Sequence, residues 1–241
     1  PEQALAYGSR VPAHVGELEH PGTTAVASAW GCILQQLMRD PHNAKAQAHS
    51  AIVIGTDQGF PLYRAMGAVV HGWAQVEIGR VAEGIAEMQQ GLADYQMTGA
   101  KMWSPYFLCL LADASRRADQ AQEGLGLVEE ALTQIRHMGG RWIETELYRV
   151  RGELLLAGDE PDQQGAERCF HRAIALAREQ DARLWELHAT TSLARLWCSQ
   201  HRKQAAYDLL APICGQLTGG LETPALCDAK SVLTYAVGLT I

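Results

Sequence analysis

Two stretches decide the fold: "VAEGIAEMQQGLADYQMTGAKMW" (residues 81–103) and "AQEGLGLVEEALTQIRHMGGRW" (residues 121–142). Each opens on small residues, runs for about four helical turns with apolar groups on one side, and ends at a glycine followed by a large apolar residue. In the second, Leu125, Val128, Ala131, Leu132 and Ile135 fall at i, i+3, i+6, i+7 and i+10, the stripe of a helix with one buried face. The same design recurs in "AKAQAHSAIVIGTDQGFP" (44–61) and "GAERCFHRAIALAREQDARLW" (165–185).

Aligning the small residue near the start of each helix gives Ala44, Gly84, Gly124, Ala166 and Ala206, at intervals of 40, 40, 42 and 40 residues. A further step back reaches Ala4 in "PEQALAYGS". A fixed period of this length is the mark of a repeat array, in which no unit buries its apolar face alone. Gly59, Gly99, Gly139 and Asp181 keep the register after each helix, which predicts a left-handed position that glycine fills without steric cost and aspartate tolerates. Tyr63, Trp103, Ile143 and Trp185 follow four residues later and are expected to fill the junctions between repeats. Ser104-Pro105 and Thr223-Pro224 read as N-caps ahead of a first-turn proline.

Between these helices a second set is predicted near 24–38, 63–78, 105–117, 144–157 and 187–199. Short polar turns join the two helices of each pair: "RDPHN", "IGR", "RRADQ", "AGDEPDQQ" and "SQHRK". The two-residue excess of the fourth repeat falls in its turn, where an insertion costs least. Gly72, Ala112, Gly152 and Ala194 share one slot on the first helices, where each is expected to pass closest to its own second helix.

The expected fold is therefore all-α: about five helix pairs of roughly 40 residues, with a leading half repeat and a capping helix. The predicted boundaries are 1–22 (second helix of a truncated repeat), then repeats at 23–62, 63–103, 104–143, 144–185 and 186–222, then a cap at 223–241, all in a single domain. The chain opens on Pro1 rather than Met, in a segment that reads as mid-helix, which suggests a fragment of a longer polypeptide. Its first helix would then leave an uncovered end that favours end-to-end self-association.

Ala166 with Phe170 reproduces the A-x3-F spacing of tetratricopeptide (TPR) repeats, and the paired helices with small residues at their crossings resemble the same class. The early Trp of that class is absent, and Gln35, Gln75, Ser115, Leu155 and Trp197 stand at its aromatic position, which points to a long-helix variant. The stretch from "GFPLYRAMGAVVHGWAQVEIGR" through "WIETELYRVRGELLL" to "SLARLWCSQHRKQAAYDLLAPI" resembles the C-terminal repeat region of bacterial multidomain regulators. Those carry an AAA-type signalling ATPase with a nucleotide cyclase or a LuxR-type DNA-binding domain. The resemblance implies an α-α superhelix acting as an interaction scaffold.

Composition excludes several other classes. A net charge of -7 disfavours direct contact with nucleic acid or an anionic membrane surface. Apolar runs stay short of the roughly 18–20 residues that span a bilayer. A cytoplasmic setting is expected, with Cys32, Cys109, Cys169, Cys198, Cys214 and Cys227 as free thiols, since no CxxC pair occurs. HExxH, GxSxG, GxGxxG and G-x4-GK[ST] motifs are missing, and the acidic "GDEPDQQ" (158–164) lacks the calcium-loop pattern. Catalysis, cofactors and metals are accordingly not expected.

What remains is the inner wall formed by the first helices, the surface through which solenoids bind partners. Its expected residues are Met66, Val69, Trp73 and Val76, then Tyr106, Cys109, Asp113 and Arg116, then Glu146, Arg149 and Glu153, then His188, Thr191 and Arg195. Trp73 and Tyr106 would anchor a protein, a peptide or another domain of the same chain, while Arg116, Arg149 and Arg195 would read its carboxylates or carbonyls. A metabolite sensor that closes around a ligand in this groove is the alternative.

Overall fold

The computed structural model describes residues 20–216 and 223–238, so the expected leading helix before residue 20 lies outside it. Eleven α-helices, no strand and one short 3-10 turn make up the described residues. They divide into two compact units between Ala118 and Asp119.

The first unit contains α1 (Pro21–Leu37), α2 (Pro41–Asp57), α3 (Pro61–Glu77), α4 (Val81–Met97) and α5 (Ser104–Arg117). Prolines in the first turn start four of the five, where a missing N–H is no loss. Asp40 caps α2 by accepting from the Asn43 N–H at 3.0 Å. Each helix packs antiparallel on the next; α3 also touches α1 and α5, while α2 and α4 lie further apart. The first helices therefore form the inner layer of this unit.

The second unit contains α6 (Ala121–Met138), the 3-10 turn Arg141–Ile143, α7 (Glu144–Ala157), α8 (Gln163–Glu179), α9 (Arg183–Ser199), α10 (Lys203–Gln216) and α11 (Pro224–Val237). Here α7, α9 and α11 lie side by side as α1, α3 and α5 do, so the last helix takes the place of a next first helix. The core around α9 is built from Phe170, Leu187, Leu193, Trp197, Leu210 and Leu226.

Backbone conformation at the joints carries the period. Gly59, Gly99, Gly139 and Asp181 have φ of 69, 79, 78 and 49°, the left-handed positions expected between repeats. A second series, which the residue types alone conceal, closes the turns within the pairs: Arg39, Gly79, Asp119 and His201, at φ 61, 94, 57 and 61°. Three of these four bear a side chain and accept the steric cost that glycine avoids. The fourth pair departs from the pattern. Its longer turn leaves α7 through an extended Gly158, and Asp162 then caps α8 by accepting from the Gly165 N–H at 2.8 Å.

Thr223 caps α11 as expected, accepting from the Leu226 N–H at 3.3 Å. Ser104 does not cap α5: it is the first helical residue and is buried, while the turn at Lys101–Trp103 carries the chain into the helix. The Ser104 N–H donates to the Lys101 carbonyl at 3.1 Å, and the Phe107 N–H to the Trp103 carbonyl at 3.0 Å. Of the junction residues, Ile143 is buried, whereas Tyr63, Trp103 and Trp185 are half-buried.

The crossing slot is filled in two ways. A Cβ built on Gly72 would stand 2.6 Å from the Gly84 carbonyl oxygen, so α3 and α4 meet backbone to backbone. One built on Gly152 would stand 2.5 Å from the Phe170 ring, so there the space belongs to a side chain of α8.

Candidate interaction surface on the first helices

Burying a polar group costs free energy unless its hydrogen bonds are replaced, so the places where a fold accepts that cost are informative. Among the described residues the buried polar and charged side chains are Gln36 on α1, Ser104, Asp113 and Ser115 on α5, Thr145, Glu146 and Arg149 on α7, Glu186, Thr190, Thr191 and Ser192 on α9, and the cap Thr223. The second helices contribute only the Tyr95 hydroxyl, which accepts from the Trp103 N–H at 3.1 Å. Apart from it their buried faces are alanine, glycine and larger apolar groups, while the first helices mix large apolar residues with hydrogen-bonding ones.

In the first unit the polar groups gather where α5 reaches back across α3 to α1. The Tyr106 hydroxyl donates to Gln36 Oε1 at 2.6 Å, and Asp113 receives Arg116 at 3.4 Å and Arg39 at 3.8 Å. Trp30 on α1 stacks edge-on against Trp103 at 5.0 Å, and Trp103 against Tyr106 at 5.5 Å. On α3, which packs against both α1 and α5, Met66, Val69 and Val76 are buried, and Trp73 and Tyr106 are each only 1% exposed. The Trp73 indole N–H has no hydrogen-bond partner among the described residues.

The second unit holds a charged network. Arg149 binds Glu146 through two bonds of 2.6 and 2.9 Å and lies 3.5 Å from Glu153. Glu153 in turn accepts the Ser192 hydroxyl at 2.6 Å, which ties α7 to α9. Glu186 accepts from Arg178 at 2.6 Å. A planar guanidinium held by two carboxylates from one helix face is fixed in direction, because breaking either bond would strand a buried charge.

The expected wall residues thus sort by depth. Met66, Trp73, Tyr106, Asp113 and Arg149 are buried, Arg116, Glu153 and His188 are half-buried, and Arg195 is exposed, paired with Asp228 of α11. Gln36, Arg39 and Ser192 belong to the same networks and were not among the expected positions. The run Thr190-Thr191-Ser192 within an apolar helix was the available signal for the last of them; Gln36 carries no mark that separates it from solvated glutamines.

All six cysteines are free thiols: Cys32, Cys109 and Cys198 are buried, Cys169 and Cys214 half-buried, and Cys227 exposed. Burial pushes the Cys32 thiol up to about 12 and raises those of Cys169, Cys198 and Cys214. A thiol held protonated is a poor nucleophile. No group of three or more His, Cys, Asp and Glu that could hold a metal ion occurs among the described residues, and no helix there is long and apolar enough to cross a membrane.

No family model matches the chain. A curated protein of Rhizobium meliloti, described as uncharacterized, is 30% identical over 127 residues, which is 52% of this chain and 12% of that protein. Among solved structures, the putative kinesin light chain of Podosopora anserina, described as having nearly identical TPR-like repeats, matches with a TM-score of 0.51 at 16% identity, over 90% of this chain and 98% of that one. A single-substitution variant of the same protein matches with a TM-score of 0.53 at 18% identity, over 81% and 94%. At these identities the likeness is one of fold, and the fold is TPR-like: all-α, with helices packed in successive pairs.

Proposed function

We propose that this chain is a non-catalytic interaction scaffold that binds a protein, a peptide or another domain of its own polypeptide through the polar side of its first helices. The observation that carries the reading is the concentration of buried polar side chains, and all of the buried charged ones among the described residues, on those helices. Packing alone does not call for them: apolar residues of the same volume stack helices as well or better, and the second helices are built that way. Arg116 in the first unit, and Glu153 and Arg195 in the second, are the accessible groups on these helices, while the His188 ring nitrogen Nε2 is buried. Within the first unit Asp113 orients Arg116, and Met66, Trp73 and Tyr106 are buried on the same helices; within the second, Arg149 holds Glu153 and Asp228 holds Arg195. TPR-like folds commonly serve as such scaffolds.

The residue-level resemblance noted above supports a more specific setting, the regulatory region of a larger bacterial signalling or transcription regulator. That the Rhizobium relative is far longer than the stretch it shares supports the same setting.

The test is selection of ligands from a random-peptide display library on the intact chain, followed by titration of the enriched peptides against Arg116→Ala and Arg195→Ala. Weakening of roughly five-fold or more by either substitution is expected for a charge-assisted contact. Enriched peptides that bind both variants as tightly as the parent would remove this surface from consideration.

A further inference from the structure

A cleft of about 800 Å³ opens in the second unit, where the turn before α6 faces the end of α7. Its floor is apolar: Ala121 and Leu125 come from the first turns of α6, and Leu154, Leu155 and Ala157 from the last turn of α7. Leu125 belongs to the apolar stripe of α6, yet it is only half-buried and lines the cleft. The long fourth turn accounts for the opening. Where other pairs close through a left-handed residue, this one leaves α7 through extended Gly158 and continues outward before Asp162 caps α8.

The rim carries four carboxylates, Asp119, Glu123, Asp159 and Glu160, and no Lys or Arg lines the cleft. Elsewhere the helices pair their carboxylates with arginine, as at Glu77, Asp94 and Glu167. The last turn of α7, whose carbonyl end carries partial negative charge, contains no basic residue. The opposite dipole end of α6 is already answered by Glu123 in its first turn. The field at the mouth is therefore negative while the floor is hydrocarbon.

We propose that this cleft docks a short cationic peptide segment in which lysine or arginine alternates with aliphatic residues. Such side chains fit both surfaces: the aliphatic residues and the methylene stems lie on Leu125 and Leu155, and the charged heads reach the rim carboxylates. An anionic ligand meets repulsion at the rim, and a wholly apolar one leaves the carboxylates without a counter-charge. The site lies at the turns rather than on the polar side of the first helices, so it extends the scaffold reading without using the same residues.

The probe is a fluorescein-labelled peptide GKLKLG, titrated against the intact chain by fluorescence anisotropy. Glu123→Gln with Glu160→Gln is expected to weaken binding by roughly five-fold, as the loss of two modest ion pairs implies. Glu83→Gln with Glu179→Gln makes the same change in net charge on exposed helix surface elsewhere and should leave the affinity within about two-fold, since salt screens distant charges. Circular dichroism establishes that both pairs retain the parent's helicity.

Equal weakening by the two pairs would reassign the effect to the overall charge of the chain and overturn the proposal. So would unchanged binding in the cleft pair, or binding of the peptide GELELG as tight as that of GKLKLG. Spermine displacing the probe at concentrations below the peptide's own Kd would make this a small-polyamine site instead. Arg116→Ala and Arg195→Ala should leave GKLKLG binding intact, which keeps the fate of this cleft separate from that of the first-helix surface.

Discussion

Gly72→Ala and Gly126→Ala are the same chemical change in the middle of a helix, and the packing predicts opposite signs for them. Intrinsic helix propensity favours alanine over glycine by about 1 kcal/mol. At Gly126 on α6 a built Cβ meets nothing within 4 Å, so this gain should appear nearly in full. At Gly72 the same Cβ would stand 2.6 Å from the Gly84 carbonyl oxygen, 2.7 Å from Met88 Cγ and 2.9 Å from the Met88 nitrogen. Two of those three atoms are backbone, so no rotamer change relieves the contact. Against a normal separation of about 3.5 Å, the closest of these contacts requires α3 and α4 to part by roughly 0.9 Å.

Overpacking of this kind costs about 1–3 kcal/mol, and here backbone rather than side chain has to move, which places the cost in the upper half of that range. After the propensity gain, a net loss of about 1–2 kcal/mol remains, a fall in melting temperature of roughly 2–8 °C for a chain of this size. Urea and thermal melts followed at 222 nm on the parent, Gly72→Ala and Gly126→Ala give the comparison. Gly152→Ala supplies the internal control, because its clash is with the Phe170 ring, 2.5 Å away, and Gly152→Ala with Phe170→Leu should recover part of the loss. A melting temperature for Gly72→Ala at or above that of the parent would show that α3 and α4 do not meet as described.

Two further outcomes follow from ionisation. Glu167 accepts the Trp197 indole N–H at 2.7 Å and Arg202 at 3.0 Å; burial works to raise its carboxyl, but these bonds and the Arg202 charge outweigh it and hold the carboxyl below its usual value of 4.5. A depressed carboxylate stabilises the fold above its unfolded value and loses that contribution as pH falls through the folded one. Glu167→Gln should therefore be less stable than the parent by up to about 1 kcal/mol at pH 7, discounted for the partial exposure of the site, with the gap closing below pH 4.5; a gap independent of pH would refute the assignment. For the thiols, with Cys32 pushed up to about 12 and buried, a disulfide reagent at pH 8 should modify exposed Cys227 first and leave Cys32 and Cys109 untouched until the chain unfolds. Peptide mapping that finds Cys32 labelled in the native state would contradict its burial.

Much of the architecture was legible because each repeat encodes its own helices. The small residues at 40-residue intervals placed the second helices, the glycines at 59, 99 and 139 announced left-handed joints that the structure shows at φ 69, 79 and 78°, and Thr223 announced its cap. The slot shared by Gly72, Ala112, Gly152 and Ala194 was visible as an alignment of small residues. Its two fillings were not, because a glycine next to a carbonyl and a glycine next to a phenyl ring look the same in one chain.

The wall was less legible. Trp73 and Tyr106 stood at positions where a gently curved stack would expose them, and the sequence pattern of a half-open groove is also that of a closed one. In the first unit Tyr106 of α5 reaches Gln36 of α1 across 70 residues of chain, and both rings are out of solvent. The turn after α7 is a similar case: the two extra residues could be counted, but not the direction in which Gly158 would carry them.

The physical divide is one of range. Helix starts, stops and faces depend on residues within a few turns of one another, so a 40-residue period was enough to write the helices down. How closely the two helices of a pair approach is set by contacts such as Gly72 on Gly84 and Gly152 on Phe170, which join different helices. Which side chains of the first helices stay exposed is decided within each unit by such contacts, which only the folded chain expresses.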